Sequence, residues 1–286
     1  MPHPLRIAGR LSLFALALSF FLASGAQAQT KRILLVGDSW VAQAWTAGAF
    51  TTALANKGLS QYQVVGGSTT IGGSTAAQWA TQPYLDLITA GLQANPTIDI
   101  VHLSIGGNDF LGAPPGSDPL VIGAQILTDT QTVVDHILSI DFNLTVAQAS
   151  YDYIPAGYTN ESGAITQLLI NQASLTPRYF VINNLGLLHH VFGYPPNFAA
   201  GTTPLPGGYP SYTPLQGGNP AFAGDPTVFA DTIHPNTAAY VALAEHAIDE
   251  FYMAWLTRAA VPALGGFGVA LLSAALAIVA ARRARA

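Results

Sequence analysis

The chain has 286 residues, a formal net charge of −5, 50% apolar residues and only 9% charged ones. That length supports one sizeable domain, and an acidic balance with no basic stripe between the termini excludes nucleic acid as a partner. Cysteine is absent, which excludes disulfides, thiolate catalysis and cysteine-ligated metal.

Residues 1–28 have the three parts of a secretory signal: Arg6 and Arg10 as the basic start, an apolar run over 11–22, and the small-x-small site Ala26-Gln27-Ala28. Cleavage before Gln29 is expected, with the mature domain over residues 29–258. Its first element is an apolar strand over 31–36 that stops in Gly37-Asp38-Ser39-Trp40. A serine at this point projects from a strand end towards a helix N-terminus, whose positive end and free N–H groups favour negative charge. The same residues also make an ordinary capped turn.

A helix is expected over 41–57 and a short strand over 62–65, followed by a Gly/Ser/Thr loop over 66–75. Residues 76–92 read as a helix interrupted at Pro83. Residues 98–104 form a near-continuous apolar strand, with His102 inside it as a core histidine. A long helix over 121–138, a strand over 144–149, a helix over 165–172, a strand over 179–183 and a closing helix over 238–256 complete the domain. Strands alternating with helices, several apolar throughout, predict a three-layer α/β/α sandwich on a central parallel sheet. Ligands in such sheets bind beyond the carboxyl ends of the strands, where Ser39, Gly72-Gly73 and Gly106-Gly107-Asn108-Asp109 all fall. Residues 193–227 are dense in Gly, Pro and Tyr, show neither period, and read as a long loop of the kind that is a lid, a binding wall or mobile.

A hydroxyl nucleophile needs a base, and the base needs an orienting group. His136 and His246 lie on expected helices and read as solvated, while His189 and His190 remain a minor alternative. His234 differs because Asp231 stands three residues before it in Asp231-Thr232-Ile233-His234-Pro235, close enough to hold Nδ1 and leave Nε2 for the serine. An acyl-transfer intermediate also needs donors aimed at its oxygen. The Asn108 amide and a glycine N–H of Ile71-Gly72-Gly73-Ser74-Thr75 are the candidates.

These four blocks, in this order over about residues 31–256, resemble the SGNH (GDSL) hydrolase superfamily. Gly37-Asp38-Ser39 matches its first block, Gly73 best matches the glycine block (with Gly72 as substitute), Gly106-Gly107-Asn108-Asp109 the third and Asp231–His234 the last. Trp40 replaces the family's Leu, and Ser74 its Asp. The resemblance implies a flavodoxin-like sandwich and ester hydrolysis through an acyl-enzyme, with Ser39, His234 and Asp231 as triad. Ser39, Gly73 and Asn108 would form the oxyanion hole, and no metal or cofactor is required. The expected substrate is a small-molecule or polymeric ester. Deacetylation of an acetylated polysaccharide is an alternative, with Tyr194, Tyr209, Tyr212, Trp45 and Trp79 as candidate sugar platforms, and a non-catalytic surface module is another.

Residues 259–281 carry no charge and are followed by Arg282, Arg283 and Arg285. That length spans a bilayer, with the basic end cytoplasmic. With Val261-Pro262-Ala263-Leu264 and Phe267-Gly268, the segment resembles the bacterial C-terminal sorting signals that begin Ile-Pro-Thr-Leu, although Gly265 and Gly266 replace their usual Ser-Glu. It implies an exported, envelope-attached or surface protein in the periplasm or beyond, anchored or sorted through 259–286, with a sorting protease as partner.

Overall fold

The structure, a computed structural model, describes residues 30–154, 160–193, 198–200, 212–214 and 225–257. The expected signal segment and C-terminal tail lie outside these residues, as do Tyr194 and Tyr209. The sheet contains β1 (Thr30–Gly37), β2 (Tyr62–Val65), β3 (Ile100–Ser104), β4 (Thr145–Ala149) and β5 (Tyr179–Ile182), in the order β2-β1-β3-β4-β5. All four pairings are parallel. Strands buried on both faces need apolar residues on both, and β1 meets this with Ile33, Leu34, Leu35 and Val36, all fully buried.

Helices α1 (Ser39–Thr46), α2 (Ala49–Asn56), α3 (Ala76–Trp79), α4 (Gln82–Ala94), α5 (Gly107–Leu111), α6 (Pro119–Ile140), α7 (Asn160–Leu175), α8 (Leu187–Val191) and α9 (Thr237–Ala247) surround the sheet. Leu34, Val36, Val101, Leu103 and Val146 on one sheet face share a core with Trp79, Ile88, Val133 and Ile137 from α3, α4 and α6. On the other face the buried His102 packs its ring edge-on to Phe50 of α2, centroids 4.8 Å apart. The strand order reverses direction beside β1: the chain leaves β1 for β2 on one side, then crosses back from β2 to β3 on the other. This switch leaves a crevice at the carboxyl ends of β1 and β3, and the serine and Gly-Gly-Asn blocks follow those two strands directly.

The elements differ from the sequence expectation at identifiable residues. The single helix over 41–57 is two, because Gly48 adopts a left-handed conformation (φ 65°) between α1 and α2. Pro83 does not break a helix; it sits in the first turn of α4, where its missing N–H costs nothing, and the break comes earlier, at Ala80-Thr81. The closing helix is α9, a π-helical stretch (Ile248–Tyr252) and α10 (Met253–Thr257); wider turns of this kind rotate the side-chain face out of a single helical period. Within the 193–227 loop, β6 (Phe198–Ala200) and β7 (Tyr212–Pro214) pair antiparallel. The chain divides into a unit ending at Glu250, which carries the sheet, and a second from Phe251. In the second, Phe251 stacks on Trp255 with centroids 5.4 Å apart. No helix among the described residues is long and apolar enough to cross a membrane.

Candidate active site

The turn after β1 is built on a glycine that nothing can replace. Gly37 has φ +143°, and a Cβ there would stand 1.9 Å from the Ser104 carbonyl oxygen of β3. The chain then hands over to α1: the Asp38 N–H donates to Ser104 O (3.0 Å), and the Asp38 carboxylate caps the helix by accepting from Trp40 N (3.0 Å). Ser39 is thereby the first residue of α1, half-buried at its positive end.

The loop after β2 is laid along the same strand end. Gly37 N donates to Thr69 O (3.0 Å), Ile71 N to Gly37 O (2.7 Å), and the Thr69 hydroxyl to Leu35 O (2.6 Å). These bonds bring the glycine block to the serine: a Cβ on Gly72 would lie 3.9 Å from Ser39 Cβ. Gly73 takes a left-handed conformation, φ +77°, which a side chain would oppose. The Asn108 amide donates to Ser74 O (2.9 Å), and Asp109 accepts from Ala76 N (2.8 Å) at the start of α3. The second and third blocks are thus bonded to each other as well as to the sheet. Ser74 donates to Ile71 O and accepts from Trp79 Nε1 (2.8 Å).

His234 reaches the serine from the far end of the chain. Its Nε2 lies 2.9 Å from Ser39 Oγ, and its Nδ1 lies 2.8 Å from Asp231 Oδ2. Asp231 Oδ1 also accepts from the Ile233 and His234 backbone N–H groups, both at 2.7 Å. Burial pushes the Asp231 carboxyl up, but the bonds from the His234 ring and these two amides outweigh it and hold the group below the usual carboxylate range. The turn is closed by a bridge between Phe229 and Pro235, and Asn236 then caps α9 by accepting from Ala239 N (3.0 Å).

The structure brings Ser39, His234 and Asp231 into one hydrogen-bonded line and places Gly72-Gly73 and Asn108 around it. The other histidines go elsewhere. His189 is buried edge-on to Tyr153, and His190 is exposed. His136 shares a hydrogen bond with Thr89 (2.9 Å). His246, expected on a solvated face, is instead buried, its Nε2 3.0 Å from Asn183 O, because α9 turns that face towards the end of β5. Trp79 is fully buried and so presents no surface for a sugar to stack on, whereas Trp45 lies over Gly66.

Two features had no sequence signal. Tyr151, in the loop after β4, donates its hydroxyl to the Asp38 carboxylate, packs edge-on to Trp40 (5.2 Å) and fills the space above Gly107. Burial pushes the Asp38 carboxyl up to about 7, against the opposing bonds from Tyr151 and Trp40 N. The second is a cavity of about 390 Å³ opening beside Ser39, bounded by Trp40, Ile105, Phe110, Ile126, Ile165 and Leu169 among others. Trp40, where the resemblance has Leu, forms part of its wall.

Solved structures with the same architecture were found. A carbohydrate esterase family 3 protein from Talaromyces cellulolyticus superposes with TM-score 0.51 at 12% identity, covering 80% of this chain and all (100%) of its own. A protein described as a putative platelet activating factor from Streptococcus pneumonia superposes with TM-score 0.51 at 15% identity, covering 84% of this chain and 98% of its own. A member of the lipolytic protein G-D-S-L family from Veillonella parvula DSM 2008 gives TM-score 0.48 at 17% identity, covering 78% and 99%. The chain therefore has the α/β fold of the SGNH hydrolases. Residues 259–286 match the family model of the IPTL-CTERM motif. No curated protein matches the sequence.

Proposed function

We propose that the chain is an exported serine ester hydrolase, with Ser39 as nucleophile, His234 as general base and Asp231 as the group that orients it. The observation that carries this reading is the 2.9 Å bond from Ser39 Oγ to His234 Nε2, made while Asp231 occupies the opposite ring nitrogen. That geometry suits the tautomer in which Nδ1 carries the proton towards Asp231 and Nε2 is left to accept the serine proton. Ser39 Oγ attacks the ester carbonyl carbon as His234 takes its proton. The carbon–alcohol bond then breaks, and the alcohol leaves with that proton. Water attacks the acyl-enzyme, giving its own proton to His234, and the acid departs as Ser39 regains its hydrogen.

The negative oxygen formed at each attack is met by the N–H groups of Ser39 and Gly73 and by the Asn108 amide. One hydrogen of that amide is held by Ser74 O, which orients the other. In the same reading, residues 1–28 are a cleaved signal, 29–258 the hydrolase domain, and 259–286 a sorting tail or anchor that keeps the enzyme at the envelope, a role the matched motif supports.

Ser39→Ala is expected to abolish hydrolysis of p-nitrophenyl acetate and butyrate with the far-UV circular dichroism unchanged, and Ser39 to react with a fluorophosphonate probe. A folded variant with undiminished turnover overturns the assignment. A carbohydrate deacetylase is the second reading, favoured by the similarity in fold to a carbohydrate esterase. Acetate release from acetylated glycans, compared with chain-length preference on p-nitrophenyl esters, separates the two.

A further inference from the structure

Every lysine and arginine of the described residues sits at the end of the sheet away from Ser39. Lys31 and Arg32 open β1, Lys57 closes α2 ahead of β2, and Arg178 directly precedes β5. Each is engaged there: Lys31 with Asn95 Oδ1 (2.9 Å), Arg32 with Asp99, Lys57 with Asp249 (2.6 Å) and Arg178 with the Phe142 carbonyl oxygen (2.8 Å). At ~3.3 Å per residue along β1, Arg32 lies roughly 20 Å from Ser39, beyond the ~10 Å over which a charge acts in ordinary salt. The sequence holds no other lysine or arginine between residues 30 and 257, so no segment in that span can bring one to the serine.

A helix-covered parallel sheet has a second source of positive potential at this rim, the helix N-termini, which are ready anion sites. Here the chain's own carboxylates hold them. Asp38 accepts from Trp40 N in α1 (3.0 Å), Asp109 from Ala76 N in α3 (2.8 Å), Asp118 from Leu120 N in α6 (2.9 Å) and Asp152 from Leu188 N in α8 (2.7 Å). The Ser39 N–H remains at α1, and the proposed reaction uses it for the developing oxyanion. Asp118 and Asp231 are exposed. The cavity beside them is walled by Ile105, Ile126, Ile165 and Leu169, none of which can pair a charge. An anionic group brought here loses water, meets no cation and faces carboxylates, and each of these raises its energy.

Building on the serine hydrolase reading, we infer that the substrate is an ester that is uncharged or cationic near the scissile bond. Esters carrying a phosphate, sulfate, sulfonate or carboxylate there are turned away. The rim carboxylates act as a charge filter and, Asp231 apart, take no part in the reaction.

The test compares kcat/KM of the full-length protein for butyrate esters of similar shape and different charge: 3-(trimethylammonio)phenyl, 3-tert-butylphenyl and 3-sulfonatophenyl butyrate. All give the same butyryl-enzyme, so differences belong to its formation, and each value is divided by that ester's own rate with hydroxide. At about pH 8 an ordinary imidazole is uncharged. In ~10 mM salt the cationic ester is then expected to exceed the anionic one by at least about tenfold, with the uncharged ester also above the anionic one. Raising sodium chloride to ~0.5 M should shrink the cationic-to-anionic ratio at least about threefold. Ser117 is an exposed residue of the cavity lining. Ser117→Lys should narrow the low-salt ratio at least about threefold, and Ser117→Gln should leave it. Asp118→Asn keeps an oxygen to cap α6 and narrows the ratio in the same direction if the lysine variant does not fold. The inference is overturned if the anionic ester matches or exceeds the uncharged one at low salt, or if the ratio ignores salt. It is also overturned if the cationic and uncharged esters are refused while 4-nitrophenyl butyrate is turned over. Absence of all ester hydrolysis, 4-nitrophenyl butyrate included, instead removes the serine hydrolase reading beneath it.

Discussion

The Tyr151 hydroxyl donates to the Asp38 carboxylate, so a side chain from the loop after β4 holds the residue immediately before Ser39. The same ring packs against Trp40 and closes over Gly107. One tyrosine thus touches the serine block twice and the Gly-Gly-Asn block once. Tyr151→Phe keeps the ring and removes only the donor, leaving a buried carboxylate one bond short. The expected loss is about 1–3 kcal/mol in urea unfolding. Turnover should fall as well, because Asp38 caps the helix that Ser39 begins.

Asn108 is proposed to give one amide hydrogen to Ser74 O and the other to the oxyanion. Asn108→Ala is therefore expected to lower kcat for a p-nitrophenyl ester by ~10²–10³-fold, the usual cost of one oxyanion donor. KM should change much less, since the bond strengthens as charge develops. A loss confined to KM would assign Asn108 to binding alone.

Asp231→Asn offers Nδ1 the wrong partner and favours the tautomer that points a hydrogen at Ser39. A fall in kcat between about 10² and 10⁴-fold is expected. Because the Asp231 side chain is 54% exposed, water can partly replace it, which favours the lower end. Steady-state kinetics across pH resolves the change.

His102 makes acid sensitivity predictable. Burial lowers its imidazole from 6.5 to about 3, so between those values the unfolded chain holds a proton that the native one does not. Stability therefore falls as pH drops through that window. His189, lowered to about 4 by burial, acts in the same sense. Asp38 and Asp152, both pushed up to about 7 chiefly by burial, act oppositely: they stabilise at low pH and lose that contribution as pH rises from 3.8 to about 7. His246, lowered chiefly by burial, acts in the same sense as the other two histidines, so His102→Gln removes one of three histidine contributions. Between about pH 4 and 6.5 it should shift the slope of unfolding free energy against pH downward by up to ~1.4 kcal/mol per unit. Urea titrations at several pH values give that slope; an unchanged slope would mean that His102 titrates normally.

Gly37→Ala tests the strand end itself. A methyl placed 1.9 Å from the Ser104 carbonyl cannot be absorbed by a side-chain rotation, because both partners are backbone. Destabilisation above about 4 kcal/mol is expected, of the exceptional size that backbone overlap produces. Thermal unfolding, or failure to recover folded protein, reports it.

What was legible in the sequence follows from how local each signal is. Apolar runs and the glycines after them mark β1 and β3, and two glycine-rich blocks beyond strand ends mark the rim, because strand burial and close backbone approach both leave marks in a few adjacent residues. Asp231 and His234 were legible for the same reason: they lie within one turn. His246 was misread because its burial depends on which face α9 turns to the end of β5, a tertiary fact. Tyr151 was missed because its partner stands 113 residues away, and the cavity beside Ser39 because its walls come from residues far apart in the chain. The break at Gly48 is the reverse case: the glycine was visible, but apolar periodicity runs through it.

One feature of the His234 turn bears on how activity is lost. Ala230 N donates to His234 O (2.9 Å) and Asn236 N to Val228 O (2.8 Å), so the aspartate and histidine are stitched into a single small clasp. Ser39 is rooted in the sheet, but both of its proposed helpers ride on that clasp. They cannot be withdrawn one at a time. A sample inactivating by opening of this segment would therefore hold a dwindling census of fully competent molecules, each as fast as before, and active-site titration would fall in step with rate.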